Sequence, residues 1–339
     1  MFRPVHFVIS SSPPRADAER FLGEKGKRKM TDLTKFEGII PAFYACYDDD
    51  GEVSSERAKA LTKHLISKGI KGVYVCGSSG ECIYQSPSER KKTLEAVVEA
   101  AEGKLAIIAH VACNSTRDSM ELARHAESLG VDAIASIPPI YFKLPEEAIK
   151  KYWNDISSAA PNTPFVIYNI PQLAGVELTV PLFKEMLKNP RVIAVKNSSM
   201  PVQDIEIFEH EGTKTERKFI VFNGPDEQLV SGLVMGAKGG IGGTYAVMPE
   251  LMLKIFDIVK SGGDLDEARS IQYDVDHIIR HLSSTKGAMY ATIKKVMEIR
   301  DGLKLGGVRA PMLNLYPEDD EIVEYCVREI DNAMEKWIK

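Results

Sequence analysis

The chain has 339 residues, 44% of them hydrophobic, and a formal net charge of -5. That is enough for one large domain or two ordinary ones around a sizeable core. It leaves no basic footprint for nucleic acid and no apolar run near the length of a membrane span, so the expected partners are a small molecule and further copies of the chain.

Residues 1–29 are polar, locally basic at "KGKRK" and unlike the rest, and are expected to form a disordered, solvated extension ahead of a natural start at Met30, with a targeting patch as the alternative for "KGKRK". The apolar stretch at residues 7–9 is too short for a secretory signal, and Asp17, Glu19 and Glu24 argue against a transit peptide.

From residue 36 the pattern alternates strand and helix. Short β-branched runs occur at "GIIPAFYACY" (38–47), "GVYVCG" (72–77), "LAIIAHVA" (105–112) and "DAIASIPP" (132–139). Four more follow at "PFVIYNIP" (164–171), "VIAVKNSS" (192–199), "FIVFNG" (219–224) and "GGIGGTY" (239–245). Amphipathic patterns lie between them, such as 55–68, 88–102 and 116–129, most of them opened by Ser, Thr, Asp or Pro, as helix caps are. Eight such units predict an α/β protein, a closed (β/α)8 TIM barrel over residues 30–263. A doubly wound open sheet is the alternative, but the dinucleotide glycine fingerprint is missing after the first strand. Residues 264–339 lack strand signals and are expected to be helices packed on the barrel.

Barrel active sites form at the C-terminal strand ends. There the sequence places Ser78, Ser79 and Glu81 after strand two, Tyr141 after strand four, Tyr168 and Asn169 in strand five, and Lys196, Asn197 and Ser198 ending strand six. Asn223, Asp226 and Glu227 follow strand seven, and Thr244 and Tyr245 follow strand eight. Lys196 closes an apolar strand. Burial there disfavours its charged form, and the neutral amine can attack a carbonyl carbon to form a Schiff base; a snorkelling or ion-paired lysine is the alternative. Tyr168 is either a hydroxyl aimed inward or a core tyrosine.

"GSSGE" (77–81) is one residue short of a nucleophile elbow and is either a tight turn or a nest for a carboxylate. "GAKGGIGG" (236–243) matches no nucleotide pattern, and its glycines are expected to let a polar ligand approach the backbone. Asp226 and Glu227 are an acid/base pair, helix N-terminal residues, or both. His277 and His281 stand one helical turn apart without metal-site context. The five cysteines have no CxxC spacing and are expected to be free thiols in a reducing compartment. No metal, flavin or nicotinamide is implied.

In this order and on these strands, "GSSGE", "PPIY", "YNIP", "VKNSS", "NGPDE" and "GGIGGTY" resemble the pyruvate-dependent class I aldolases that include N-acetylneuraminate lyase and dihydrodipicolinate synthase, over residues 36–335. The resemblance implies a cofactor-free, cytoplasmic carbon–carbon lyase that assembles as a homotetramer. Lys196 is then the Schiff-base lysine and Tyr168 the proton-transferring residue. Ser78 and Ser79 hold the pyruvate carboxylate, with Ser78 also in the proton relay, and Tyr141 enters a neighbouring subunit's site. Gly224, Asp226, Glu227, Gly242 and Gly243 bind substrate.

Within the family, "YNIPQLAGVELT" lacks the cation that dihydrodipicolinate synthases use for aspartate semialdehyde and is similar to the sialic acid lyases. The implied reaction is cleavage of N-acetylneuraminate to pyruvate and N-acetylmannosamine. Pro225 and Gly243 depart from the lyases' usual aromatic residue and serine, which keeps another 2-keto-3-deoxy sugar acid open as substrate. A dihydrodipicolinate synthase-like condensation and a non-catalytic ligand-binding barrel are the further alternatives.

Overall fold

The computed structural model describes residues 32–215 and 217–339; the expected N-terminal extension and Met30 lie outside the described residues. Leu33–Lys339 is one compact unit. Its eight strands are β1 (Gly38–Pro41), β2 (Gly72–Val75), β3 (Ala106–His110), β4 (Ala133–Ser136), β5 (Phe165–Asn169), β6 (Val192–Asn197), β7 (Ile220–Asn223) and β8 (Gly239–Gly242). From β2 to β8 each strand pairs in parallel with the next, and β8 pairs with β1. The remaining seam, β1 to β2, is joined by the Ala42–Tyr74 bridge and by a hydrogen bond from the Phe43 N–H to the Tyr74 carbonyl (2.9 Å). The open doubly wound sheet is thereby excluded, since its strand order would not run once around a ring.

The first strand is shorter than its apolar run. Beyond Pro41 the pairing shrinks to the single bridge to β2 and a hydrogen bond from the Ala42 N–H to the Gly242 carbonyl (2.9 Å), and Tyr47 then pairs antiparallel with Val53 around an acidic turn. Hydrophobicity in residues 42–47 therefore reflects burial rather than ladder pairing.

The helices begin where the capping residues stand. Ser54 opens α1 (Ser55–Ser67) by accepting from the Arg57 N–H, and Ser86 opens α2 (Pro87–Ala101) with a capping box to Glu89. Ser115 caps α3 (Thr116–Ser128); α4 (Glu146–Ala159) follows, and Thr179 caps α5 (Val180–Leu187). Further on lie α6 (Gln203–Thr213), α7 (Leu229–Val234) and α8 (Pro249–Ser261). The last three helices are α9 (Leu265–Leu282), α10 (Met289–Asp301) and α11 (Asp320–Trp337). Their inner faces, including Ile271, Val275, Ile293, Val296, Val323 and Ile330, join the same apolar core as Leu251 and Ile255 of α8. No described helix is long and apolar enough to cross a membrane.

Strand alternation sorts the core into two layers. In β5, Phe165 and Ile167 face the surrounding helices, whereas Val166 and Tyr168 face the barrel interior with Tyr74, Ile108, Ala135, Phe222 and Ile241. In β6, Val195 faces the helices and Ala194 the interior, so the pleat carries Lys196 inward beside Tyr168, its register partner.

Candidate active site

Lys196 is 5% exposed, and its Nζ lies 4.0 Å from the ring centroid of Tyr168 and 4.5 Å from that of Tyr74. Among the described residues no carboxylate forms an ion pair with it. Burial pulls its pKa from 10.5 down to about 7, and the charge of Asp226 only partly opposes that fall. The snorkelling and ion-paired alternatives are thus excluded by position: the amine ends in an aromatic, water-poor chamber.

Tyr168 is buried, and loss of hydration raises its phenol to about 12, against hydrogen bonds with Ser198 and Ser78 that lower it. The hydroxyl is neutral near pH 7 and linked to two further hydroxyls. Ser78 is exposed at the mouth and Ser79 buried. Their loop is sharply bent: Cys76 and Glu81 both adopt left-handed backbone (φ 59° and 52°), a conformation unfavourable to side chains other than glycine.

What holds that bend is a buried polar cluster. Glu81, 2% exposed, pairs with Lys294 of α10 at 2.9 Å and accepts from the Tyr47 hydroxyl (3.1 Å) and the Arg309 N–H (3.0 Å). Lys294 also donates to the Gly307 carbonyl (2.6 Å). A second chain of side chains fixes the ends of β5 and β6. Asn169 donates to Asn197 (2.7 Å), Asn197 to Ser199 (2.8 Å), and Ser199 to Asp204 (2.6 Å).

Asp226 is buried and tied to the end of β8. Its carboxylate accepts from the N–H of Gly243 (3.2 Å) and from the N–H and hydroxyl of Thr244 (both 2.6 Å). Burial raises its pKa to about 6 despite those donors. Glu227, beside it, is exposed. The glycines of this region mostly make room for the protein itself. A Cβ on Gly242 would lie 2.2 Å from Asp226 Oδ1, and one on Gly224 would lie 2.0 Å from Ser198 Oγ. Gly243 differs, because a Cβ there would face two hydroxyls, Tyr290 at 3.3 Å and Ser79 at 3.4 Å. The expectation of ligand approach along the whole glycine run is therefore narrowed to this end of it.

Lys196, Tyr168, Ser78, Ser79, Asp226 and Gly243 thus share one mouth. Tyr141 does not join them within one chain. It is 90% exposed, with φ 87° and its ring edge-on to the also exposed Phe142 at 4.9 Å. His277 and His281 lie on α9, ring to ring at 4.4 Å and beside Tyr325 of α11. Three aromatic residues of the mouth were not singled out from sequence. Tyr74 shares the inward face of β2 and could have been found by its alternation. Tyr44 donates to the Gly243 carbonyl (2.8 Å) from an irregular segment. Tyr290 reaches in from α10, outside the barrel, and accepts from Ser79 Oγ at 3.0 Å; no strand-end rule would find it.

Comparison with known proteins agrees with this fold. Residues 35–330 match the model of the dihydrodipicolinate synthetase family. The chain belongs to that family. An N-acetylneuraminate lyase of Mediterraneibacter gnavus is 58% identical over 94% of this chain and 99% of its own length. A sialic acid aldolase of Ruminococcus gnavus, solved as its catalytic lysine mutant, superimposes with a TM-score of 0.88 at 59% identity, covering 91% of this chain and 100% of that one. CdNal from Clostridium difficile, solved in complex with mannosamine, gives a TM-score of 0.81 at 28% identity, over 87% of this chain and 99% of that one.

Proposed function

We propose that this protein is a Schiff-base aldolase that reversibly cleaves N-acetylneuraminate to pyruvate and N-acetylmannosamine. The observation that carries the reading is the Lys196 amine buried between two phenol rings, its pKa pulled to about 7, at the open end of a barrel. The identity of the lyase and aldolase relatives over nearly their full lengths supports the choice of substrate.

The chemistry then follows from the residues. The backbone N–H groups and hydroxyls of the Ser78–Ser79 turn hold the substrate carboxylate, which places the adjacent keto carbon against Lys196. Neutral Nζ attacks that carbon, and loss of water gives an iminium that draws electrons from the neighbouring carbon–carbon bond. Tyr168 takes the proton from the hydroxyl on the far carbon while its own phenolic proton moves toward Ser78 and the substrate carboxylate. The bond breaks, the aldehyde leaves, and an enamine remains on Lys196. Protonation of its terminal carbon and hydrolysis release pyruvate and restore the amine; condensation is the reverse path. Asp226 and Glu227 are assigned to the hydroxyls of the leaving sugar, with Gly224, Gly242 and Gly243 shaping the floor beneath them.

The exposed, positive-φ Tyr141 and its partner Phe142 are assigned to a neighbouring copy in a homotetramer. A large apolar ring held in a strained conformation at the surface is more easily understood when a second subunit covers it. The free, mostly buried thiols fit a cytoplasmic setting.

Incubation with N-acetylneuraminate and chromatographic analysis tests the reading. Equal amounts of pyruvate and N-acetylmannosamine are expected. No turnover of that compound, with consumption of pyruvate and aspartate semialdehyde instead, would assign the site to the synthase branch.

A further inference from the structure

One group at the mouth has no part in the chemistry above. Tyr290 extends from α10, and its oxygen accepts from Ser79 Oγ, so the phenolic proton is left to donate elsewhere. Among the described residues nothing takes it. Burial keeps this phenol un-ionised by raising its pKa, so it is a donor throughout the working range. The hydroxyl faces the space that glycine leaves at position 243, 3.3 Å from where a Cβ would stand, and the Gly243 N–H on the same wall is bound to Asp226.

The helix is also fixed in register. Tyr290 and Lys294 are one helical turn apart on α10, and they meet Ser79 and Glu81, two residues apart on the strand-two loop. The buried Glu81–Lys294 ion pair therefore sets the height of the phenol over the mouth. A helix outside the barrel is thus pinned by two polar ties to the loop assigned to the carboxylate. Around Gly243 stand a phenolic donor and the carboxylate acceptor of Asp226. That pairing suits a sugar hydroxyl, which both donates and accepts.

We propose that Tyr290 is a specificity-determining residue that donates its hydrogen bond to a hydroxyl of the polyol chain, in the space left open by Gly243. It supplies from α10 the hydroxyl that residue 243 cannot. The inference rests on the aldolase reading and extends it to the sugar end of the same site.

The test uses the full-length protein with two readouts. In steady-state cleavage of N-acetylneuraminate, Tyr290→Phe is expected to raise KM roughly five- to tenfold, the fold-change of one neutral hydrogen bond, with a smaller effect on kcat. Borohydride trapping of pyruvate alone, which involves no polyol, is expected to keep its half-saturation within about twofold. The double variant Tyr290→Phe/Gly243→Ser restores KM, because removal of the phenolic oxygen clears the place a serine would occupy. An unchanged KM in Tyr290→Phe would overturn the proposal. So would a parallel rise in the pyruvate half-saturation, which would mean that Tyr290 acts through Ser79 on the carboxylate. Should Tyr290→Phe not fold, Gly243→Ala reads the same KM, since its methyl group crowds the phenol at 3.3 Å. Failure of the aldolase reading itself is distinguishable, because the unmodified protein would then trap no pyruvate at all.

Discussion

Replacing Lys196 with Met is expected to stabilise the protein while abolishing its chemistry. The amine falls from 10.5 to about 7 on folding because burial strips it of water. A lysine with a depressed folded-state pKa binds fewer protons when folded than when unfolded, so stability rises with pH between the two values. Below pH 7 both states carry the charge and the full penalty applies; above 10.5 neither does. From those two pKa values, the penalty at pH 7 is about 4 kcal/mol and at pH 9 about 2 kcal/mol. Methionine preserves the unbranched shape between Tyr74 and Tyr168 without a charge to desolvate. For a chain of this length the gain corresponds to a melting temperature roughly 6 °C higher at pH 7. Scanning calorimetry of both proteins from pH 6 to pH 10 measures the gap, which is expected to narrow steadily as pH rises. A variant less stable than the parent at pH 7, or a gap indifferent to pH, would refute the assignment of a desolvated amine.

Tyr168→Phe removes the hydroxyl that links the reacting centre to Ser78 and Ser198, and is expected to lower kcat for cleavage by about 10² to 10⁴ while pyruvate still forms an imine on Lys196; stopped-flow and trapping measurements separate the two steps. Glu81→Gln leaves Lys294 with a buried charge and no carboxylate, at a cost of about 3 to 5 kcal/mol in denaturant unfolding, and the paired change Glu81→Gln/Lys294→Met is expected to cost less than Glu81→Gln alone. Gly224→Ala forces a methyl group against Ser198 Oγ and the Asn197 carbonyl, so a loss of about 1 to 3 kcal/mol and a marked drop in cleavage rate are expected from unfolding and activity assays.

The barrel was legible because its signals are local. Runs such as "PFVIYNIP" and "VIAVKNSS" are apolar on both faces, as parallel strands covered by helices must be, and Ser54, Ser86 and Ser115 stand at the helix starts. Lys196 and Tyr168 stood out because each breaks an apolar run at a strand's C-terminal end. The supports of the site were harder to see. Glu81 reads as one more polar loop residue, and its buried partner Lys294 lies more than two hundred positions away on a helix with no pattern that marks it. Tyr290 escapes for the same reason: a residue beyond the eighth strand enters the mouth only through tertiary packing. The glycine run gave a partial signal, since glycine marks a close approach without saying whether a ligand or the protein's own Asp226 approaches.

The central claim is that Lys196 forms the imine. Treatment with N-acetylneuraminate and borohydride, followed by intact and peptide mass spectrometry, tests it most directly. The expected result is one reduced pyruvate adduct per chain, carried by the peptide containing Lys196 and lost in Lys196→Met. An adduct on another lysine, or turnover of the sugar with no adduct at all, would contradict the account.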